Sequence, residues 1–199
     1  GIARMERYGE WASFTRRSGL SCLTVICRDH PRTLSEICGV ITSSDINILA
    51  AQIFTRRDGV VIDTFLVVNG DGCTVIPPDS QRVFKRNLPL VASGRARAED
   101  LIRSHILRWR RRKRRAVHQP PRVRIDNTVS SAYTVIDVFA TDYTGLLYDV
   151  TSVLAERGTR AHEKLRVELV IAGRTLRIPA RAVGRCRQHT AVFQSNSHP

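Results

Sequence analysis

Two short runs of this 199-residue chain set chemically useful side chains at matching spacing: Asp29-His30-Pro31-Arg32-Thr33-Leu34 and Asp142-Tyr143-Thr144-Gly145-Leu146. Each puts an acidic residue in a turn just ahead of a helical apolar stripe. A carboxylate there can accept from an ammonium group. The helix start behind it offers N–H groups and a positive dipole end to a carboxylate. The pair of functions suits a small zwitterion. Asp29 and Asp142 are the candidate ammonium contacts, and the backbone around Arg32, Thr33 and Leu34, and around Gly145 and Leu146, is the candidate carboxylate cradle. Asn47-Ile48 follows the first helix, where Asn47 is placed to bridge the pocket or bind a side-chain amide. A plainer reading stands beside this one, because Asp before a helix is also a common turn or cap residue. Arg32 either pairs with the ligand carboxylate or points into solvent, and its bulk crowds a loop that glycine would open.

His30 beside Asp29 raises a catalytic or metal-binding alternative. The other histidines, at 105, 118, 162, 189 and 198, have no ligand spacing, and no glycine-rich phosphate loop is present. No Ser/His/Asp or Cys/His arrangement can be placed either, so neither a catalytic nor a metal residue is expected. The five cysteines (Cys22, Cys27, Cys38, Cys73, Cys186) are odd in number and form no C-x-x-C pair. Reduced, mostly buried thiols in a cytoplasmic protein are expected. No apolar run reaches the ~18 residues of a membrane helix. The chain opens without Met or a signal-like apolar stretch, as expected of a piece of a longer protein.

The elements that must hold these residues follow from periodicity. Residues 20–28 read as a buried strand. From Thr33, the positions Leu34, Ile37, Cys38 and Ile41 fall on one helical face, and Thr33 with Glu36 has capping-box spacing. Asp58-Gly59 marks a hairpin between strands 46–56 and 60–68. Residues 80–92 are weakly helical, with Pro89 interrupting. Strand, helix, strand, strand, helix is most of a split βαβ sandwich, an α+β fold.

The net charge of +14 is unevenly placed: residues 101–130 hold 10 Lys/Arg against 1 Asp/Glu, while residues 1–100 hold 13 against 11. The run Arg108–Arg115, with Trp109 inside it, is either a solvated linker or a nucleic-acid or acidic-partner contact. The linker reading is favoured.

A shift of 113 positions superposes residues 133–158 on the first strand and helix: Asp29 falls on Asp142, Leu34 on Leu147, Ile37 on Val150, Val40 on Val153 and Ile41 on Leu154. This is the signature of a tandem repeat. The match stops after Gly158, where Arg content rises and the hairpin signal is lost, as a shifted reading frame or truncation would produce. "LRVELVIAG" and "RTLRIPARAV" can still form two strands around Gly173.

The repeat resembles the ACT domain, a βαββαβ module that binds amino acids and regulates enzymes. The first copy matches at Asp29, Pro31, Leu34 and Asn47-Ile48, and the second at Asp142, Gly145 and Leu146. Arg32 stands where the family has Gly, and Thr144 where it has Pro. "AQIFTRRDGVVIDTFLV" and the stretch from Arg122 to Gly158 resemble more closely the C-terminal tandem ACT region of bifunctional uridylyltransferase/uridylyl-removing enzymes, which act on PII-type signal proteins. That resemblance implies glutamine as the ligand, ACT–ACT pairing within or between chains, and a divalent metal held by the catalytic domains of the parent. No Gly-Ser or His-Asp dipeptide of such catalytic domains occurs here, so no cofactor is expected in this chain. The expected layout is a leader (1–19), a first ferredoxin-like module (20–92), a basic helical or extended linker (93–122), a second module (123–180) divergent after 158, and a disordered tail (181–199).

Overall fold

The structure is a computed structural model that describes residues 9–109, 120–126, 128, 134–156, 165–171, 174–178 and 194–195. The basic run from Arg110 onward and most of the tail lie outside the described residues. The first unit comprises β1 (Glu10–Arg17), β2 (Leu20–Arg28), α1 (Thr33–Ser43), β3 (Ile46–Gln52), β4 (Val60–Asn69) and α2 (Pro78–Ala92), followed by α3 (Ala98–Trp109). The second comprises β5 (Arg122–Asp126), β6 (Thr134–Ala140), α4 (Leu146–Glu156), β7 (Leu165–Ile171), β8 (Arg174–Ile178) and the short β9 (Gln194–Ser195).

The first sheet is antiparallel throughout, in the order β1-β2-β4-β3. Its composition corrects the layout. In a βαββαβ module the strand after the second helix lies beside the first strand. Here that place is taken by β1, part of the expected leader. Ser18 and Gly19, at φ 50° and 82°, turn β1 straight into β2 in the manner of a type I′ hairpin. Ala12 and Phe14 then pack against the core. Strand β3 ends at Gln52, short of the expected residue 56, after a register shift between Ile48 and Ala50.

Helix α2 starts at Pro78 and runs through Pro89. A proline inside a helix costs ~3 kcal/mol. Phe84, Leu88 and Val91 of this helix are buried, each contributing roughly 1.5–3 kcal/mol, which outweighs that cost. The helical run expected at the start of the linker is α3. Helix α3 packs on α1 and sends Ala98 and Ile102 into the core.

Helix α4 has the bounds of α1 moved by 113 residues, Leu146–Glu156 against Thr33–Ser43. Beyond it the two units part. Strand β7 pairs parallel with β6, so β6-α4-β7 is a contiguous crossover, where the first unit places β4 antiparallel beside β2. The divergence after residue 158 is thus a change of topology. The units nevertheless share one hydrophobic cluster, in which Val138, Leu147 and Tyr148 join Leu23, Val25, Ile37, Ile41, Phe65 and Phe84. Among the described residues no helix is long and apolar enough to cross a membrane.

Candidate functional site

The first corner, between β2 and α1, keeps its groups busy with one another. Thr33 does not act as a side-chain cap. The residue at the cap position is Arg32, which makes no side-chain cap bond. The His30 N–H donates to Thr33 Oγ1 at 2.7 Å, and Thr33 Oγ1 donates to the His30 carbonyl at 2.9 Å. Glu36 does not reach back to complete a capping box. It lies 3.1 Å from His30 Nε2, because the imidazole in the turn offers a nearer partner. Arg32 reaches across to Glu99 in the first turn of α3, 3.2 Å away, in a pair that stays partly exposed. The backbone N–H of Asp29 donates to Gly59, which ties this corner to the β3–β4 hairpin. Asn47 and Ile48, expected beside this corner, lie elsewhere.

They lie against the second corner. Asn47 Nδ2 donates to Asp142 Oδ2 at 3.3 Å, across the boundary between the units and over 95 residues of chain. Thr42, Ile46, Asn47 and Ile48 from the end of α1 and the start of β3 face Asp142, Tyr143, Gly145, Leu146, Leu147 and Tyr148 across a cleft. The second unit has no Asn-Ile of its own after its helix, and the first unit supplies one. Gly145 makes the approach feasible in two ways. Its φ of +107° disfavours any side chain, and a Cβ there would sit 3.0 Å from Thr42 Cγ2. The cleft is nearly shut: about 10 Å³ is open to a water-sized body, room for roughly one water.

Behind the cleft three helices meet at Gly39 of α1. A Cβ at that position would lie 2.6 Å from Ala98 Cβ of α3 and 3.1 Å from the Tyr148 ring of α4. Burial raises the Tyr148 phenol pKa, as does the nearby Glu99 carboxylate, while Arg32 opposes them. Tyr148 therefore lines the cleft and also feels the ion pair of the first corner. Tyr143 OH donates to Asp149 at 2.6 Å. Burial first, then that bond and the carboxylate's charge, hold its pKa well above the ordinary tyrosine value.

Of the ten predicted site residues, Asn47, Ile48, Asp142, Gly145 and Leu146 come together in the cleft, while Asp29, His30, Arg32, Thr33 and Leu34 remain at the first corner. The other five lining residues, Thr42, Ile46, Tyr143, Leu147 and Tyr148, were missed. Gly39, an isolated glycine in a helical stripe, was the one available hint of a close approach. Among the described residues no group of three His, Cys, Asp or Glu side chains could hold a metal ion.

Comparison with known proteins agrees with this architecture. The ACT domain family matches residues 23–72. The chain carries an ACT domain. Over 137 residues, 69% of its length, it is 41% identical to a bifunctional uridylyltransferase/uridylyl-removing enzyme of Gluconobacter oxydans (strain 621H), and it spans 14% of that protein. No solved structure matches the chain. The family match falls on β2, α1, β3 and β4, the elements that carry Asn47 and Thr42 to the cleft.

Proposed function

We propose that this chain is the amino-acid-sensing regulatory region of a cytoplasmic uridylyltransferase/uridylyl-removing enzyme acting on PII-type proteins, with glutamine as its ligand. The observation that supports it most is the Asn47–Asp142 contact across the two units, beside the start of α4. Asp142 is the ammonium contact, Asn47 reads the side-chain amide, and the turn at Gly145–Leu146 receives the carboxylate. The first corner, with Arg32 held by Glu99, is not a ligand site in this arrangement. The parent's divalent metal belongs to its catalytic domains, with no role for it here.

A ligand as large as glutamine fits only when the corner moves off β3. Binding then selects an opened arrangement of the units, and a ligand shifts such an equilibrium only through its different affinity for the two states. Calorimetric titration of the chain with glutamine tests the reading: heat and thermal stabilisation are expected at millimolar ligand, and Asp142→Ala abolishes both. No heat and no stabilisation would overturn it.

A further inference from the structure

One wall of the cleft rests on a seat built by the first unit. Tyr148 of α4 is buried and lines the cleft. Its ring lies against Gly39 of α1, where a Cβ would be 3.1 Å from two ring carbons. The same Cβ would be 2.6 Å from Ala98 Cβ, so the first residue of α3 abuts that spot. Glu99 is the next residue of α3, and its Oε1 lies 3.2 Å from Arg32 Nη2. Arg32 stands at the cap position of α1. One ion pair thus ties the start of α3 to the start of α1, beside the place where the Tyr148 ring sits. The phenol registers both ends of that pair. After burial, the Glu99 carboxylate does most to raise its pKa, and Arg32 lowers it.

The seat matters while the cleft is shut. When the second corner moves off β3, the ring leaves Gly39, and the placement of the first turn of α3 no longer bears on it. An interaction that orders the seat therefore favours the shut arrangement over the open one. A ligand that needs the open one then binds more weakly by that factor.

We propose that the Arg32–Glu99 pair is a latch on the cleft, acting through the seat of Tyr148. Arg32 and Glu99 are positioning residues: they hold α3 where the ring can rest, and so set how often the cleft opens. The arginine that crowds the first corner thereby tunes the second. The ligand that enters rests on the sensor reading above, whereas the opening itself does not.

The test reads opening and binding separately, in the full chain. Opening is followed by the labelling rate of a thiol introduced by Thr42→Cys inside the cleft, with Cys73→Ser and Cys186→Ser removing background. Buried Cys38, one turn away, and Cys27 are the internal reference. Arg32→Gln and Glu99→Gln should each speed labelling at position 42 by roughly two- to fivefold, the span that a partly exposed pair allows. The two together should do no more than the larger single change, because they break the same contact. Cys38 and Cys27 should keep their rates. Without the reporter, calorimetry should show Arg32→Gln binding glutamine more tightly by the same factor, where a mere loss of stability would leave affinity unchanged or lower it. The latch is overturned by an unchanged rate at position 42, by additive effects, by Cys38 speeding up in step, or by weaker glutamine binding in Arg32→Gln. If labelling behaves as expected and neither parent nor variant takes up glutamine, the latch stands and the ligand assignment falls.

Discussion

The two strand-to-helix corners start from one pattern and end in opposite states. At the first, Arg32 adopts φ −104° and spends its guanidinium on Glu99, and His30, Thr33 and Glu36 bond among themselves. At the second, Gly145 sits at φ +107° with α1 pressed close against it, and Asp142 meets Asn47 of the other unit. Four residues differ between the corners under the 113-residue shift, and one of them stands at the point of closest approach, where Arg32 falls on Gly145. Glycine lets a neighbouring element come within contact distance, and arginine fills that space and finds a partner of its own. Equal spacing in sequence therefore does not make equal sites.

Substitutions can break this contrast, and the largest effect is expected where the helices behind both corners converge. Gly39→Ala would gain up to ~1 kcal/mol in helix propensity. The added methyl would collide with Ala98 and crowd Tyr148, and such overpacking costs ~1–3 kcal/mol. A net loss in the urea midpoint is expected, with faster amide exchange in α4 as it lifts from α1. A stabilised protein would show that the junction is looser than described.

Next come the corners themselves. Gly145→Ala forces a side chain into the left-handed region against Thr42, at a cost of ~1–3 kcal/mol. Arg32→Gly removes a half-exposed ion pair worth ~0–1 kcal/mol. Paired denaturation curves should keep that order, and equal losses would erase the distinction between the corners.

The smallest effect concerns Tyr143. A phenol whose pKa is raised by folding holds its proton in the native state after the unfolded chain has released its own. Its contribution is intact below the unfolded value of about 10 and declines as pH rises beyond it. Tyr143→Phe should therefore show a shallower fall in stability between roughly pH 9 and 11 than the parent, read from urea midpoints. Identical slopes would mean that the Tyr143–Asp149 bond carries no weight.

What could be read from the sequence was local. Helix α1, its copy α4 and the Asp58-Gly59 hairpin announce themselves through periodicity and turn chemistry, and the structure has all three. Strand β1 hid because its outer half, Thr15-Arg16-Arg17, is polar, and its identity rests on pairing with β2. The helical character of α3 was legible, but the burial of Ala98 and Ile102 was not, since nothing in the run names the surface it meets. The partner of Asn47 was out of reach for the same reason. Both readings of Arg32, solvent or ligand, missed Glu99, whose proximity is fixed by how α3 folds back.

The hairpin that closes the first sheet has a kinetic consequence. Where a terminal strand must return from beyond the second helix, the sheet waits for a long loop to close. Here β1 and β2 are joined by two residues, so the edge strand pairs with little loop-closure entropy to overcome. Low sequence separation of contacts goes with fast folding. As the chain emerges during synthesis, all four strands of this sheet are available once Asn69 has appeared, before α3 and the second unit exist.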